Sequence, residues 1–314
     1  MDQHRVITQD RFGGPEVLRS ASAPIPAPLP TEIRVRVFAA GVNPADAKTR
    51  AGAGVAKVLG PPPFVLGWDV AGTVDAVGRG VTRFAVGDRV LGMPWFPRQA
   101  GAYAEYVTAP SRQFAGLPDT VGDIEAGALP LAGLTAWQAL VETAAVAAGQ
   151  RVLVRAGGGG VGHLAVQIAK ARGAYVIATA ARAKHAMLTD LGADEVYDHH
   201  EVEISEVVGD LDVALELFGG ESVARVVAAM RPGGIIVALA GDPPVEQASR
   251  AGVRAVKMLA EPDGAALGEL AALAAAGHLR VEVSETFELE DAATAHRAIE
   301  GGHTRGKIVL VQPG

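Results

Sequence analysis

Apolar and polar residues alternate along the first third of the chain. In Ile33–Ala39 valines alternate with arginines, as expected for a strand with one buried and one solvated face. Val70–Val77 and Asp88–Met93 are further candidate strands, and the glycines around them mark turns. This pattern predicts a mainly β domain in the N-terminal region.

The hydrophobic pattern changes near residue 120. Short β-branched runs then alternate with alanine-rich stretches of helical character. The predicted strands are Arg151–Arg155, Tyr175–Thr179, Asp212–Glu216 and Ile235–Ala240, and the predicted helices are Val161–Arg172, Arg182–Leu191 and Glu221–Met230. Buried strands that alternate with helices predict a parallel, doubly wound sheet.

The C-terminal segment changes pattern again. Its predicted helices are Leu267–Ala276 and Asp291–Ile299, and its predicted strands are Val281–Phe287 and Lys307–Val311. Because these elements have no evident place in the parallel sheet, we expect the segment to return to the first domain. We therefore predict an α/β protein with a substrate domain of residues 1–118 and 266–314 and a dinucleotide-binding domain of residues 119–265.

Composition limits the possible functions. The chain has 314 residues, which favours two domains, and its net charge of -7 argues against a nucleic-acid-binding face. It has no cysteine, which excludes disulfides, thiolate nucleophiles and cysteine-ligated zinc. Since neither a signal peptide nor an apolar run of about 20 residues is evident, we expect a cytoplasmic protein without a membrane anchor.

A glycine-rich turn is the strongest chemical signal in the sequence. Gly157-x-Gly159-x-x-Gly162 follows one predicted strand, opens a predicted helix and precedes a second strand. Glycines allow the backbone to approach a pyrophosphate, and the N-terminus of the helix offers unpaired N–H groups to it. We therefore predict dinucleotide binding here; the alternative is a glycine-rich turn that binds no ligand.

The end of the second predicted strand bears on the choice of dinucleotide. NAD-selective sites carry an acid about 20 residues after the glycines, to bind the ribose hydroxyls. Residues 179–185 contain no acid, and Ala180 is followed by Arg182 and Lys184. These cations would hold a 2′-phosphate, so NADP(H) is the predicted cofactor. Alternatively, both belong to an ordinary solvated helix start.

Several motifs, in order along the whole chain, resemble the medium-chain dehydrogenase/reductase superfamily. They are Ala40–Asp46, Gly67–Gly72, Val86–Val90, Gly101–Tyr106, Leu134–Trp137, the glycine-rich turn, Arg231–Gly234 and Gly306–Leu310. Within the superfamily, the chain is similar to the zinc-independent quinone oxidoreductases, the family that includes zeta-crystallin. The resemblance implies a GroES-like substrate domain beside a Rossmann domain, with NADPH in the cleft between them.

The same comparison implies that the protein holds no metal. Zinc-dependent members place a cysteine, a histidine and an acid where this chain has Asn43, Trp68 and Asp69. Asparagine and tryptophan are not useful zinc ligands. Without a Lewis acid to stabilise an alkoxide, alcohol oxidation is less favoured than hydride transfer to an electrophilic quinone or α,β-unsaturated carbonyl.

The resemblance also assigns candidate site residues. Asn43 would face the nicotinamide pocket as a donor, and Lys48 would aid the reaction electrostatically or as a proton donor, unless it is merely solvated. Asp46 is expected to cap a helix. The candidate cofactor contacts are Thr135, Gly157, Gly159, Gly160, Val161, Gly162, Ala180, Arg182, Lys184, His199, Phe218, Leu239 and Gly241. Trp95 and Phe96 would line the substrate pocket, or else anchor their loop on the core.

The favoured function is NADPH-dependent reduction of a small quinone or enone without metal. Two alternatives remain open: a non-catalytic NADPH-binding protein of crystallin-like or regulatory role, and an enoyl reductase domain of a larger polyketide enzyme. We expect a stand-alone chain. We also expect a homodimer, in which the predicted strand Arg254–Leu259 at the sheet edge pairs with its copy.

Overall fold

The computed structural model describes residues 2–219 and 221–312. The chain divides into two compact units: Met1–Leu134, Glu261–Gly277 and Val281–Gly314 form the first, and Thr135–Ala260 with His278–Arg280 form the second. These limits differ from the sequence-based boundaries at 118/119 and 265/266. Residues 123–128 form a helix that packs on strands of the first unit, so the division falls later in the chain.

Strands and α-helices are numbered in chain order. The strands of the first unit are β1 (Gln3–Gln9), β2 (Arg19–Pro24), β3 (Glu32–Val42), β4 (Phe64–Val65), β5 (Val70–Val77), β6 (Arg89–Gly92), β7 (Tyr106–Pro110), β8 (Phe114–Gly116), β15 (Val283–Glu288) and β16 (Lys307–Val311). Its α-helices are α1 (Pro44–Arg50), α2 (Ala56–Leu59), α3 (Asp123–Ala128), α10 (Gly264–Ala275) and α11 (Ala292–Glu300).

Two sheets build the first unit. A small sheet has the order β2-β1-β4, and a larger one runs β15-β16-β3-β5-β6-β8, with β7 also paired to β3. The alternating pattern of β3 buries Ile33, Val35 and Val37, as predicted. The C-terminal strand β16 pairs antiparallel with β3, so the tail joins the first unit. In that ladder Ile308 lies opposite Val42, which brings Lys307 next to Asn43.

The second unit is a doubly wound parallel sheet. Its strands are β9 (Arg151–Val154), β10 (Tyr175–Thr179), β11 (Glu195–Tyr197), β12 (Leu211–Glu216), β13 (Met230–Ala238) and β14 (Arg254–Lys257). They lie in the order β11-β10-β9-β12-β13-β14, all parallel, which is the Rossmann order 3-2-1-4-5-6. The predicted α/β class is therefore confirmed.

Helices connect these strands. They are α5 (Gly162–Ala171), α6 (His185–Asp190), α7 (Ile204–Val207), α8 (Glu221–Val226) and α9 (Val245–Arg250), while α4 (Pro130–Trp137) spans the division between the units and continues into a π-helical turn at Gln138–Thr143. All six residues of β12 are buried, and its apolar residues Val213–Leu215 are flanked by the buried acids Asp212 and Glu216. No helix among the described residues has the length and apolar character needed to cross a bilayer.

Two predicted helices differ from those observed. The helix predicted for residues 221–230 is shorter in the structure, where α8 ends at Val226. A 3-10 turn follows it, and Met230 already begins β13, opposite Leu211. The one predicted for 182–191 begins with a 3-10 turn at Arg182–Lys184, and α6 starts only at His185. The strand predicted at 254–259 is β14, which lies at the edge of its sheet.

Candidate functional site

The glycine-rich turn lies between β9 and α5, as predicted. At Gly162, an added Cβ would lie 2.3 Å from the carbonyl oxygen of Ala156 and 2.6 Å from Cα of Gly157. Only glycine fits there, because the helix start touches the backbone of the turn itself. At Gly157, an added Cβ would lie 3.0 Å from the Cβ of Ala178 in β10. Both glycines thus hold the helix close to the sheet.

Gly159 differs from these two glycines. A Cβ built there would come no closer than 3.4 Å to the protein, the nearest atom being the carbonyl oxygen of Ala156. The fold therefore leaves open space beside Gly159. Val161 caps α5, and this end of a ten-residue helix carries the positive end of its dipole; the His163 N–H there donates to the Gly159 carbonyl at 3.2 Å. The open space beside Gly159 and the positive end of the dipole together suit an anionic group.

Lys184 lies across this turn. An added Cβ on Gly158 would be 2.4 Å from Lys184 Cδ and 3.0 Å from its Cβ, so the aliphatic stem packs directly on the glycine backbone. Partial burial lowers the pKa of the Lys184 ammonium. The second unit therefore brings a cation to the glycine-rich turn, from a segment more than twenty residues further along the chain.

The end of β10 is free of acids in sequence but not in space. Asp198, which follows β11, accepts hydrogen bonds from the backbone N–H groups of Arg182 (2.8 Å) and His200 (2.9 Å). The guanidinium of Arg182 lies 3.4 Å from Glu201 and is 73% exposed. Arg182 therefore has acidic neighbours that residues 179–185 do not themselves contain. These neighbours come close because β11 pairs parallel with β10 and ends beside it.

His199 lies in the same region and is exposed. Its ring is 4.0 Å from that of His200, and partial burial together with the neighbouring imidazole lowers the pKa of His199. Asp198, His199 and His200 are the one trio among the described residues that brings potential metal-ligand atoms together. Both oxygens of Asp198 already accept backbone N–H groups, so the carboxylate serves to tie the loop.

Most of the remaining candidates of the second unit lie at the carboxyl ends of their strands, whereas Thr135 is buried within helix α4. Phe218 follows β12 and is 64% exposed. Leu239 follows β13, and Gly241 adopts a left-handed conformation with φ of 69°. Ala180, just beyond β10, is buried and its carbonyl oxygen lies 3.0 Å from His185 Nε2.

The sequence analysis did not predict the ion pair between Arg155 and Glu216 at this edge of the sheet. Arg155, at the end of β9, lies 2.7 Å from Glu216, at the end of β12, and the Glu216 side chain is nearly inaccessible. The two strands are neighbours at the point where the strand order reverses, which is where open α/β sheets bind ligands. The signal in sequence was a charged residue at the end of each of two apolar runs.

In the first unit, Asn43 begins α1 and is 5% exposed. Its backbone N–H donates to Asp46 Oδ2 (2.7 Å), which confirms that Asp46 caps the helix. The side-chain Nδ2 donates to Asp69 Oδ2 at 2.9 Å and makes a longer contact of 3.4 Å with the Gly41 carbonyl. Its Oδ1 accepts from Lys307 Nζ at 2.5 Å. Both ends of the amide are thus engaged within the unit.

A chain of hydrogen bonds runs from Asp46 towards the surface. Burial raises the pKa of Asp46 to about 7, and the Tyr103 hydroxyl, itself fully buried, bonds to it. Tyr103 Oη lies 3.1 Å from His296 Nε2, and His296 Nδ1 lies 3.2 Å from an Arg50 nitrogen. Burial lowers the pKa of His296 to about 3. The imidazole is therefore neutral, accepting from Arg50 and donating to Tyr103.

Trp68 is buried in the core of the first unit, where its side chain packs against other apolar groups. Its indole Nε1 donates to the carbonyl oxygen of Arg98 at 2.7 Å, and its ring meets Phe96 edge to face at 5.2 Å. Trp95 donates through Nε1 to the Thr108 carbonyl at 3.0 Å. Trp95 and Phe96 therefore both have contacts with the first unit, as the loop-anchoring interpretation expects; a place for them in the substrate pocket stays a prediction. Lys48 is exposed on α1.

Comparisons with known proteins agree with this geometry. The family model "Alcohol dehydrogenase GroES-like domain" matches residues 29–119, and the model "Zinc-binding dehydrogenase" matches residues 191–310. The human quinone oxidoreductase is 31% identical over 325 residues, covering 98% of this chain and 97% of that protein. The chain belongs to the quinone oxidoreductase family of the medium-chain dehydrogenase/reductase superfamily.

Solved structures of this family have the same fold. The quinone oxidoreductase from Coxiella burnetii superimposes with a TM-score of 0.94 at 36% identity, covering 99% of this chain and 100% of that one. A mycobacterial protein solved in complex with NADPH has a TM-score of 0.87 at 32% identity, covering 98% and 100%. The predicted GroES-like and Rossmann domains are confirmed, and the quinone oxidoreductase relatives make this chain an NAD(P)H-dependent oxidoreductase.

The zinc implied by one of the matched family models does not fit the residues present. At the three positions that the resemblance matches to the zinc site, Asn43 is an amide with both ends engaged and Trp68 is an indole buried in the core. The third, Asp69, forms a buried ion pair with Lys307 at 3.1 Å. The chain therefore offers no ligand set suited to zinc at these three positions.

Proposed function

We propose that this oxidoreductase transfers hydride from NADPH to a small quinone or α,β-unsaturated carbonyl without a metal ion. The observation that carries the proposal is the engagement of Asn43, Trp68 and Asp69 within the first unit. With no Lewis acid to hold an alkoxide, the acceptor must delocalise the charge that hydride delivers, as quinones and enones do.

The second unit supports NADPH as the donor. When bound, the dinucleotide supplies the hydride; Gly160, Val161 and Gly162 would offer backbone N–H groups to its pyrophosphate. The N–H of Gly159 already donates to the Ala156 carbonyl at 3.0 Å, so Gly159 would contribute the open space beside it and not a donor, contrary to the sequence-based expectation. Lys184, held over Gly158, would bind the 2′-phosphate, with Arg182 and His199 as exposed cationic or polar neighbours. The rest of the dinucleotide is proposed to contact Thr135, in α4, and four residues at or near strand ends: Ala180, Phe218, Leu239 and Gly241.

The first unit supports a positioning role for its buried amide. The 3.4 Å contact between Asn43 Nδ2 and the Gly41 carbonyl oxygen is the longest and weakest hydrogen bond of that amide. The N–H that makes this contact is therefore the one that could turn to a substrate carbonyl with the smallest loss of hydrogen bonding. Lys48 is proposed to act through its charge, since its exposed ammonium raises the local positive potential. A proton must also reach the reduced acceptor, and in this proposal it comes from solvent.

Kinetics test the proposal. Purified protein should oxidise NADPH with at least one acceptor from a panel of 1,2-quinones, 1,4-quinones and α,β-unsaturated ketones, measured by the loss of NADPH absorbance. A chelator should leave the rate unchanged, and metal analysis should find well under one zinc per chain. Tight NADPH binding without turnover of any acceptor would instead favour the non-catalytic alternative, which the engaged Asn43 amide would then explain.

A homodimer belongs to this proposal. Strand β14 lies at the edge of the parallel sheet, and Leu259 just beyond it is 57% exposed. We infer that two copies pair through this edge, which would also satisfy its free backbone groups. Gel filtration with light scattering should give twice the mass of one chain; a monomer at micromolar concentration would contradict it. A cytoplasmic location also stays a prediction.

A further inference from the structure

The ammonium of Lys307 is buried among oxygen atoms of the first unit. Lys307 is the first residue of β16 and is 3% exposed. Its Nζ lies 2.5 Å from Asn43 Oδ1, 3.1 Å from Asp69 Oδ2 and 3.5 Å from the Val42 carbonyl. Lysine is rarely buried to this extent without a charged partner, and here the partner is a carboxylate that is also fully buried.

The Asp69 carboxylate is held on both oxygens. Its Oδ1 accepts the backbone N–H of Leu131 at 2.6 Å, and its Oδ2 accepts both Asn43 Nδ2 and Lys307 Nζ. A buried charge that is both paired and hydrogen-bonded on all sides has a fixed position, because any movement leaves an unpaired charge in the core. Lys307 and Asp69 are therefore a rigid pair on which Asn43 rests.

This pair determines which way the Asn43 amide faces. An ammonium can only donate and a carboxylate can only accept, so the amide oxygen must face Lys307 and the amide nitrogen must face Asp69. The flipped amide would set its NH₂ group against the ammonium and its oxygen against the carboxylate. The electrostatics therefore fix the orientation of the one amide that the proposed function places at the reacting carbonyl.

Lys307 Nζ lies within hydrogen-bond distance of both Asn43 and Asp69. We propose that the Lys307 ammonium acts as a positioning residue for the hydride-transfer step by orienting Asn43. This inference rests on the proposed function for its catalytic consequence, but not for the orientation of the amide.

Paired variants separate positioning from simple core stability. Lys307→Met should lower kcat at least tenfold and also lower the melting temperature, since Asp69 loses its counter-ion. Lys307→Met with Asp69→Asn removes both charges and should recover most of the melting temperature but not kcat, because the amide loses its orientation. Lys57→Met, on the exposed face of α2, is the matched control and should change neither quantity.

Chemical rescue gives a second, independent measurement. In Lys307→Ala, propylammonium chloride has the length and charge of the missing side chain beyond Cβ and should restore kcat, whereas propanol and sodium chloride should not. Should this variant fail to fold, the double variant decides alone. Recovery of wild-type kcat by the double variant, or equal rescue by propanol, would overturn the proposal.

A readout that needs no turnover keeps the two proposals distinguishable. The side-chain ¹H–¹⁵N signals of Asn43, assigned by their loss in Asn43→Asp, should move in Lys307→Met and return in Lys307→Ala with propylammonium. If the wild-type protein reduces no acceptor but the Asn43 signals move in Lys307→Met and return with propylammonium, the proposed function fails. The inference that Lys307 orients the Asn43 amide then still stands. Signals that are unaffected by loss of Lys307 would overturn the inference, whatever the activity.

Discussion

Replacing Gly162 by alanine is expected to destabilise the second unit by about 3 kcal/mol and to abolish dinucleotide binding. The added methyl would lie 2.3 Å from the Ala156 carbonyl oxygen and 2.6 Å from Gly157 Cα, and both are backbone atoms that cannot rotate away. Helix α5 would have to move off the sheet. Urea unfolding followed by circular dichroism measures the first effect, and NADPH fluorescence titration measures the second.

Gly159→Ala is the matched control for this prediction. An added Cβ at Gly159 is no closer than 3.4 Å to any protein atom, so the unfolding free energy should change by less than about 1 kcal/mol. The methyl would instead fill the open space proposed for the pyrophosphate, and NADPH binding should weaken at least tenfold. Unchanged NADPH affinity in Gly159→Ala would mean that the phosphates do not bind at this turn.

The second large effect concerns the choice of cofactor. Lys184→Glu should weaken NADPH binding about 100-fold, equivalent to about 2.7 kcal/mol, and NADH binding by less than about threefold. The substitution turns an attraction for the 2′-phosphate into a repulsion, and NADH has no phosphate there. Dissociation constants for both dinucleotides, measured by fluorescence at one ionic strength, give the ratio directly.

Lys184→Met isolates the charge from the packing. Methionine keeps an apolar stem over Gly158, where the lysine methylenes now lie, and removes only the ammonium. NADPH binding should then weaken by an intermediate amount, with NADH unaffected. Arg182→Glu should have the smaller effect of the two glutamate variants, because Arg182 is exposed and already close to Glu201. Equal losses for NADPH and NADH in Lys184→Glu would refute the assignment.

Local patterns in the sequence predicted the features that depend on local physics. The turn from Gly157 to Gly162 lies between a strand and a helix, because the same few residues supply the tight turn, the close packing and the helix start. The parallel, doubly wound sheet of the second unit follows from the alternation of buried strands and helices. The capping of α1 by Asp46 likewise needs only one short segment.

The contacts missed by the sequence analysis join distant segments. Lys307 reaches Asn43 across 264 positions, and Tyr103 reaches His296 across 193, so no spacing rule connects them. Asp198 reaches Arg182 because two parallel strands end side by side, which the composition of residues 179–185 does not reveal. One signal was available: a lysine at the start of the otherwise apolar strand Lys307–Val311 requires a buried partner.

The ion pair of Lys307 with Asp69 has a consequence for how the chain folds during synthesis. Asp69 emerges from the ribosome 238 residues before its counter-ion, which at about 5–20 residues per second is an interval of roughly 12–48 seconds. The strands and helices of the second unit, residues 151–257, are all translated within that interval. The Rossmann sheet can therefore form while the first unit still has an uncompensated Asp69 carboxylate at its centre. In a nascent chain stalled before residue 307, the first unit should be cleaved by protease faster than the second unit.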